Sequence, residues 1–329
     1  MTTIKDVAKH ANVSVGTVSR VLSRNQTVST VMRERVQNAV SALGYKPNLA
    51  ARALRTNRVD VIGLVVPDIT NPFFSQLALE IETKAAQYEQ SVMLANTHGD
   101  PETEKQQIAA LLDRTPRGLI VIAATDLEIC APETNVPIVS LDRRYAGFAL
   151  ASIDNCNGSV QIVDHLYGLG HRHIAYISGP QNTDVGRDRK TGFETRIKEL
   201  NTKATRTRTE IYCGNFSYES GEEIGRQIMT QVSRPLPTAI AAANDQVAIG
   251  VLRAARDLGL RVPQDISVTG FDDIALSSLV VPRLTTIRQP TRALAGAVLG
   301  MVMENPSNST DISMTGELIV RGSTMAVGG

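Results

Sequence analysis

TIKDVAKHANVSVGTVSRVLS, residues 3–23, is the stretch on which the architecture turns. Ile4, Val7, Ala8 and Ala11 fall on one helical face, with Thr2 or Thr3 placed as its N-cap. Asn12-Val13-Ser14 reads as a turn, and Ser14 is placed to cap a second helix, Val15 to Leu22, whose apolar face is Val18, Val21 and Leu22. Beyond it a third helix is expected, capped at Ser29 or Thr30, with Val31, Val36, Ala39, Val40 and Leu43 turned inward. Gly44 ends it, and Pro47 comes three residues on, a regular C-terminal signature. Two short helices joined by a tight turn and braced by a third make a helix-turn-helix unit.

Charge separates this head from the body of the chain. Residues 1–58 hold ten Lys and Arg against Asp6 and Glu34, a net +8, so the remaining residues stand at −7 within a total of +1. A small basic head on a mildly acidic body implies a polyanionic partner for the head alone. At 329 residues the chain suits two or three domains. Cys130, Cys156 and Cys213 are far apart and form no C-x-x-C pair, so neither a disulfide framework nor a zinc knuckle is indicated. MTTIKDVAKHANVS lacks a signal-peptide apolar region, and no run of about 18 apolar residues occurs. A cytoplasmic protein with no membrane partner is expected.

From Arg58 onward apolar strand candidates alternate with helical stretches. The first set is Val61–Val66, Ser91–Asn96, Gly118–Ala123 and Ile138–Leu141; the second is His173–Ser178, Glu210–Cys213, Thr238–Ala243 and Ile266–Gly270. Continuous apolar strands between helices mean parallel sheets covered on both faces. The sets echo each other, VIGLVVPD (61–68) answering HIAYISGPQ (173–181), which indicates two similar lobes with a cleft beyond the carboxyl ends of their strands. Between head and core, Asn48 to Arg58 is short, basic and rich in Ala and Leu. A helix that short is marginal alone in water, so a linker that folds when docked is expected.

Five blocks in order, TIKDVAKHANVSVGTVSRVLS, GYKPNLAARALR (44–55), VIGLVVPDITNPFFSQL (61–77), ANDQVAIGVLRAARDLGLRVPQDISVTGFDD (243–273) and LTTIRQP (284–290), resemble the LacI/GalR family of bacterial repressors over essentially the full length. The resemblance implies an α/β protein: an all-α helix-turn-helix head at 1–47, a hinge helix at 48–58, and an effector-binding core at 59–329. The core would be like periplasmic sugar-binding proteins, with an N-lobe at about 59–157 and 289–316 and a C-lobe at about 158–288 and 317–329. It also implies a homodimer on near-palindromic double-stranded operator DNA. Arg292–Glu304 and the first core helix are candidate dimer elements, and RGSTMAVGG (321–329) shows no heptad run, so no tetramer-forming helix is expected.

A recognition helix offers its N-terminal residues to the major groove, here Val15, Gly16, Thr17 and Arg20. Arg20 can give guanine two hydrogen bonds, Val15 can meet a thymine methyl, and Gly16 reads nothing directly. Thr3, Ser14, Thr17, Ser19 and Asn25 are candidates for phosphate contacts, with capping the competing role for Ser14. Leu54 matches the family's hinge leucine, which wedges into a minor-groove step, and Arg55 a basic minor-groove contact.

In the core, Asn71, Phe73, Phe74, Asp142, Arg143, Arg189, Phe216, Asn244, Asp272 and Gln289 stand at strand ends or crossovers. Phenylalanines can stack on a sugar ring while charged and amide groups bond its hydroxyls. The set is similar, position by position, to that of periplasmic ribose-binding proteins, which implies ribose or a related pentose. The alternatives are a phosphosugar, nucleoside or purine acting as co-repressor, and, from another class, a sugar transport protein. Asp245 and Asp273 are expected to be structural, Arg144 a surface charge, and Phe73 either pocket or lobe core. His165, His171 and His173 lack a completing ligand at metal spacing. No G-x-S-x-G, P-loop or G-x-G-x-x-G is present, so no enzyme, no cofactor and no metal are expected.

Overall fold

The structure is a computed structural model describing residues 2–22, 28–45, 59–126, 130–201, 206–231, 235–304 and 310–328. It divides into two compact units, Met1–Val59 and Asp60–Gly329. Asn25, Leu54, Arg55 and the expected hinge helix lie outside the described residues.

The head contains α1 (Ile4–Ala11), α2 (Val15–Leu22) and α3 (Thr30–Ala42). Thr3 and Asp6 form a reciprocal capping box at the start of α1, and Asn12 closes it in the left-handed region at φ 51°, a conformation asparagine tolerates. Ser14 Oγ accepts from Thr17 N–H at 3.0 Å and so caps α2. Val7, Ala8, Ala11, Val18, Val21, Val28, Val36 and Ala39 form the buried core. Two expectations fail on α3. Val31 is 60% exposed rather than inward, because as the second residue of the helix it lies beyond the reach of α1 and α2. Ser29 holds the cap position but makes no side-chain cap bond.

The core unit holds two parallel sheets. In the first, β1 (Val61–Val66), β2 (Ser91–Asn96), β3 (Gly118–Val121), β4 (Ile138–Leu141), β5 (Leu150–Ile153) and β11 (Ile312–Met314) take the order β11-β5-β4-β3-β1-β2. In the second, β6 (His173–Ser178), β7 (Arg208–Cys213), β8 (Ala239–Ala242) and β9 (Ser267–Thr269) take the order β7-β6-β8-β9. β10 (Thr286–Arg288) and β12 (Glu317–Ile319) pair antiparallel. The chain therefore passes between lobes three times: from β5 into the next helix, after β10, and from β11 to β12.

Helices α4 (Pro72–Gln87), α5 (Pro101–Leu112), α6 (Asn155–Gly168), α7 (Asp184–Leu200), α8 (Tyr218–Met229), α9 (Asp245–Asp257) and α10 (Thr291–Met303) cover the sheets. Six of them start on a side-chain cap: Asn71, Asp100, Asp154, Thr183, Ser217 and Asn244 each accept from a first-turn N–H. α10 packs on α4 and buries Leu294, Ala295, Val298 and Leu299 within its own chain.

α8 and α9 meet backbone to backbone. A Cβ on Gly221 would lie 2.1 Å from Val247 O, and one on Gly250 2.1 Å from Tyr218 O. Gly221→Ala should therefore force the helices apart and destabilise the core by about 1–3 kcal/mol, read as a lower urea midpoint; an unchanged midpoint would show that the pair slides freely.

The strand ends differ from the sequence reading by one or two residues. Ile122, Ala123, Thr238, Ala243, Ile266 and Gly270 fall outside the ladders, and β7 begins at Arg208. The strands not foreseen, β5, β10, β11 and β12, are three or four residues long and of mixed polarity.

Candidate functional site

Strand ends and helix starts from both lobes converge on a nearly closed cavity of about 10 Å³, room for about one water. It is lined by Asn71, Phe73, Phe74, Asp142, Arg143, Arg189, Phe216, Asn244 and Asp272, with Val185 of α7 as the member not foreseen. Gln289 is not among the lining residues. It stands one hydrogen bond behind them, its Nε2 donating to Asp272 Oδ1 at 2.8 Å.

Each lining side chain is held in place. Asn71 Oδ1 accepts from Phe73 N–H at 3.0 Å, and Pro72 then starts α4, so Phe73 and Phe74 emerge together with ring centroids 5.5 Å apart. Both rings also belong to the lobe's hydrophobic core, so Phe73 is wall and core at once. Asp142 and Asp272 have positive φ, 60° and 109°, which turns each carboxylate off its strand end into the cleft. Arg189 stands at neither a strand end nor a crossover but inside α7, which starts five residues earlier at Asp184 with Thr183 as cap. From there Arg189 Nε donates to Asn155 Oδ1 at 2.8 Å, Nη1 to Ala243 O at 2.7 Å, and Nη2 pairs with Asp272 Oδ1 at 3.1 Å. Asn244 Oδ1 caps α9 through Val247 N–H, and its Nδ2 donates to Phe216 O at 3.4 Å.

Arg143 is placed differently. Its guanidinium lies 5.3 Å from the Phe74 ring centroid and 5.7 Å from that of Phe216. Its Nε is 3.7 Å from Asp142 Oδ2 and has no hydrogen-bond partner among the described residues. Two carboxylates and two guanidiniums, all buried, thus face each other between aromatic rings. Burial pushes the Asp142 carboxyl up to about 6 against the pull of Arg143 and Arg189, and raises Asp272 against Arg189 and Gln289. Hydroxyl groups of an uncharged ligand would meet donors and acceptors here without adding net charge to a dry site.

A second residue not foreseen lies nearby. Glu104 of α5 is fully buried. Its Oε2 accepts from Ala124 N–H at 2.6 Å, and burial raises the acid to about 7 against that bond and the charge of Arg143. In PETEKQQ it reads as one more surface acid, and only the packing of α5 on β1 and β2 turns it inward.

The residues expected to be structural behave so. Asp245 accepts from Ile274 N–H and the hydroxyls of Ser277 and Thr286, and burial, reinforced by Asp272, pushes it up to about 8. Asp273 pairs with Arg288 and Arg321; Arg144, expected as a surface charge, is instead half-buried and paired with Asp311. His165, His171 and His173 bond Thr324, Thr238 and Glu210 respectively.

Asp245, Glu104 and Asp142 each bind a proton more tightly folded than unfolded. Between about pH 4 and pH 8 these three groups hold more protons in the folded core than in the unfolded chain, so their part of its stability is present at low pH and lost as pH rises, while His165 and His171, lowered by burial, act in the opposite sense. The thermal midpoint should fall across that window, and Asp245→Asn should flatten the slope. Equal slopes in the two proteins would assign the titration elsewhere.

On the head, Val15, Gly16 and Arg20 are exposed on α2, opposite buried Val18 and Val21. Arg20 Nε donates back to Gly16 O at 3.3 Å. Thr3 and Ser14 spend their hydroxyls on the caps described above, and Thr17 Oγ1 lies 2.9 Å from Ser14 Oγ. Among the described residues no helix is long and apolar enough to cross a membrane.

Comparison with known proteins agrees with this architecture. Residues 3–48 match the bacterial regulatory proteins of the lacI family, and residues 163–324 a periplasmic binding protein-like domain. The ribose operon repressor of Halalkalibacterium halodurans is 34% identical over 98% of this chain and 97% of its own. A transcriptional repressor PurR of Haemophilus influenzae is 32% identical over 99% and 100%. A lac repressor dimer crystallised with operator and the anti-inducer ONPF superposes with a TM-score of 0.81 at 30% identity, covering 99% of each chain. Helix-turn-helix head, paired parallel sheets and full-length similarity lead to one conclusion: this chain is a transcription regulator belonging to the lacI family of bacterial regulatory proteins.

Proposed function

We propose that the chain is a dimeric, cytoplasmic repressor that binds a near-palindromic operator through α2 and is released from it by ribose or a closely related pentose held in the core. The observation that carries the effector reading is the charge-balanced lining: Asp142, Arg143, Arg189 and Asp272 converge between Phe74 and Phe216. Each guanidinium already faces a carboxylate, so a phosphate would enter without an uncompensated positive partner, and this favours the free sugar over a phosphosugar. The similarity to a ribose operon repressor points the same way.

The same lining supports binding without turnover. The two carboxylates face guanidiniums rather than a nucleophile, and Val185, Phe73, Phe74 and Phe216 supply apolar contact only. Sugar between the lobes would favour a closed core and lower operator affinity, with coupling of about 1–3 kcal/mol. The first core helix and α10 remain the proposed dimer elements.

Calorimetric titration with ribose, ribose 5-phosphate, adenosine and hypoxanthine tests this. Ribose should bind and its phosphate should not; hypoxanthine binding with no ribose signal would replace the inducer reading by a purine co-repressor. Non-specific DNA binding should weaken steeply with salt, since the head's contacts release counterions. A salt-insensitive interaction would count against the basic head as the binding surface.

A further inference from the structure

Phe216 forms one wall of the cavity, and a stretch of bare backbone supports it. β6 and β7 run parallel with Ser178 opposite Cys213, and Gly214 N–H donates to Ser178 O at 3.1 Å. Three residues past β7, Phe216 folds back over the end of β6. Its ring comes to rest where a side chain on Gly179 would be: a Cβ there would lie 2.3 Å from both Cε1 and Cζ, and 3.1 Å from Cδ1. On the cavity side, the guanidiniums of Arg143 and Arg189 stand 5.7 and 5.8 Å from the ring centroid. The backbone of Phe216 is tethered too, since its carbonyl accepts from Asn244 Nδ2. The ring therefore has no room to retreat, and anything added behind it moves it toward the guanidiniums.

We propose that Gly179, which does not line the cavity, is a positioning residue that sets the depth of Phe216 and so the thickness of the ligand ring the cleft admits. This rests on reading the cavity as the sugar site. A glycine at 179 is required by the approach of the ring and not by backbone conformation, because Gly179 lies outside the left-handed region. Alanine can adopt the same backbone there, and the substitution changes only the space behind the ring.

The test compares four full-length proteins: wild type, Gly179→Ala, Phe216→Leu and the double variant. Ribose affinity is read by calorimetry, and thermal midpoints are read without sugar. Gly179→Ala should weaken ribose binding about tenfold or more. In the double variant the shorter leucine leaves room for the methyl, so its affinity should come within about threefold of Phe216→Leu alone. An unchanged affinity in Gly179→Ala, or losses that simply multiply in the double variant, would overturn the proposal. Should wild type fail to bind ribose, the sugar reading falls and the midpoints decide this one. A drop caused by Gly179→Ala only when Phe216 is present supports the positioning role; an equal drop in both backgrounds rejects it.

Discussion

Asp272→Asn should leave operator binding intact and weaken ribose binding by roughly a hundredfold or more, because removing one partner of a buried charge pair costs about 3–5 kcal/mol. Asp272 carries that load through two contacts, Arg189 Nη2 at 3.1 Å and Gln289 Nε2 at 2.8 Å. Asparagine keeps an acceptor for both donors and removes the charge, so it lowers stability as well, and alanine, which strands a buried guanidinium and a buried amide, lowers it further. The measurements are ribose calorimetry and an operator mobility shift, with and without sugar. Ribose affinity equal to wild type would take Asp272 out of the effector's reach. Loss of operator binding together with ribose binding would mean that the substitution had damaged the fold instead.

Arg20→Ala should cost the second large loss, on DNA. A bidentate arginine–guanine contact is worth about 1–3 kcal/mol of discrimination, and a dimer presents it twice, so operator affinity should fall by about 2–6 kcal/mol with smaller change on random DNA. The side chain is exposed on α2 beside Gly16. It already lies along the helix surface, donating to Gly16 O, so reaching a base edge means giving up that bond, a modest exchange. Equal losses on operator and random duplex would reduce Arg20 to a phosphate contact.

Much of the fold and the cavity is legible in the residues alone. Apolar runs place eight strands: six are apolar because strands buried on both faces must be, whereas the edge strands β2 and β7 are half-exposed. Two helix starts in the head are legible because Thr3 and Ser14 stand where orphan N–H groups need acceptors. Nine lining residues are legible through resemblance, since geometry alone does not tell a cleft asparagine from a capping one, and Asn71 and Asn244 are both. What stays hidden depends on rotation and packing. Val185 is apolar on a helix face like many others. Gln289 has the chemistry of a ligand group and instead braces Asp272. Val31 fits a helical period that has no partner surface. Glu104 is invisible until α5 is laid against β1 and β2. β10, β11 and β12 are too short to show a period, and exist because the lobes need their crossovers.

Those crossovers bear on how the chain is made. β11 completes one edge of the first sheet, and a few residues later Ser323 O accepts from Val268 N–H beside β9 and Val327 N–H donates to Leu169 O. Both lobes thus wait for residues 312–327. On a ribosome releasing the chain from its N-terminus, neither lobe can close while those residues are still in the exit tunnel, although the head has long been free to fold. For that interval β5 offers an unpaired edge to neighbouring nascent chains. A premature stop before residue 312 would therefore disable both lobes at once rather than one.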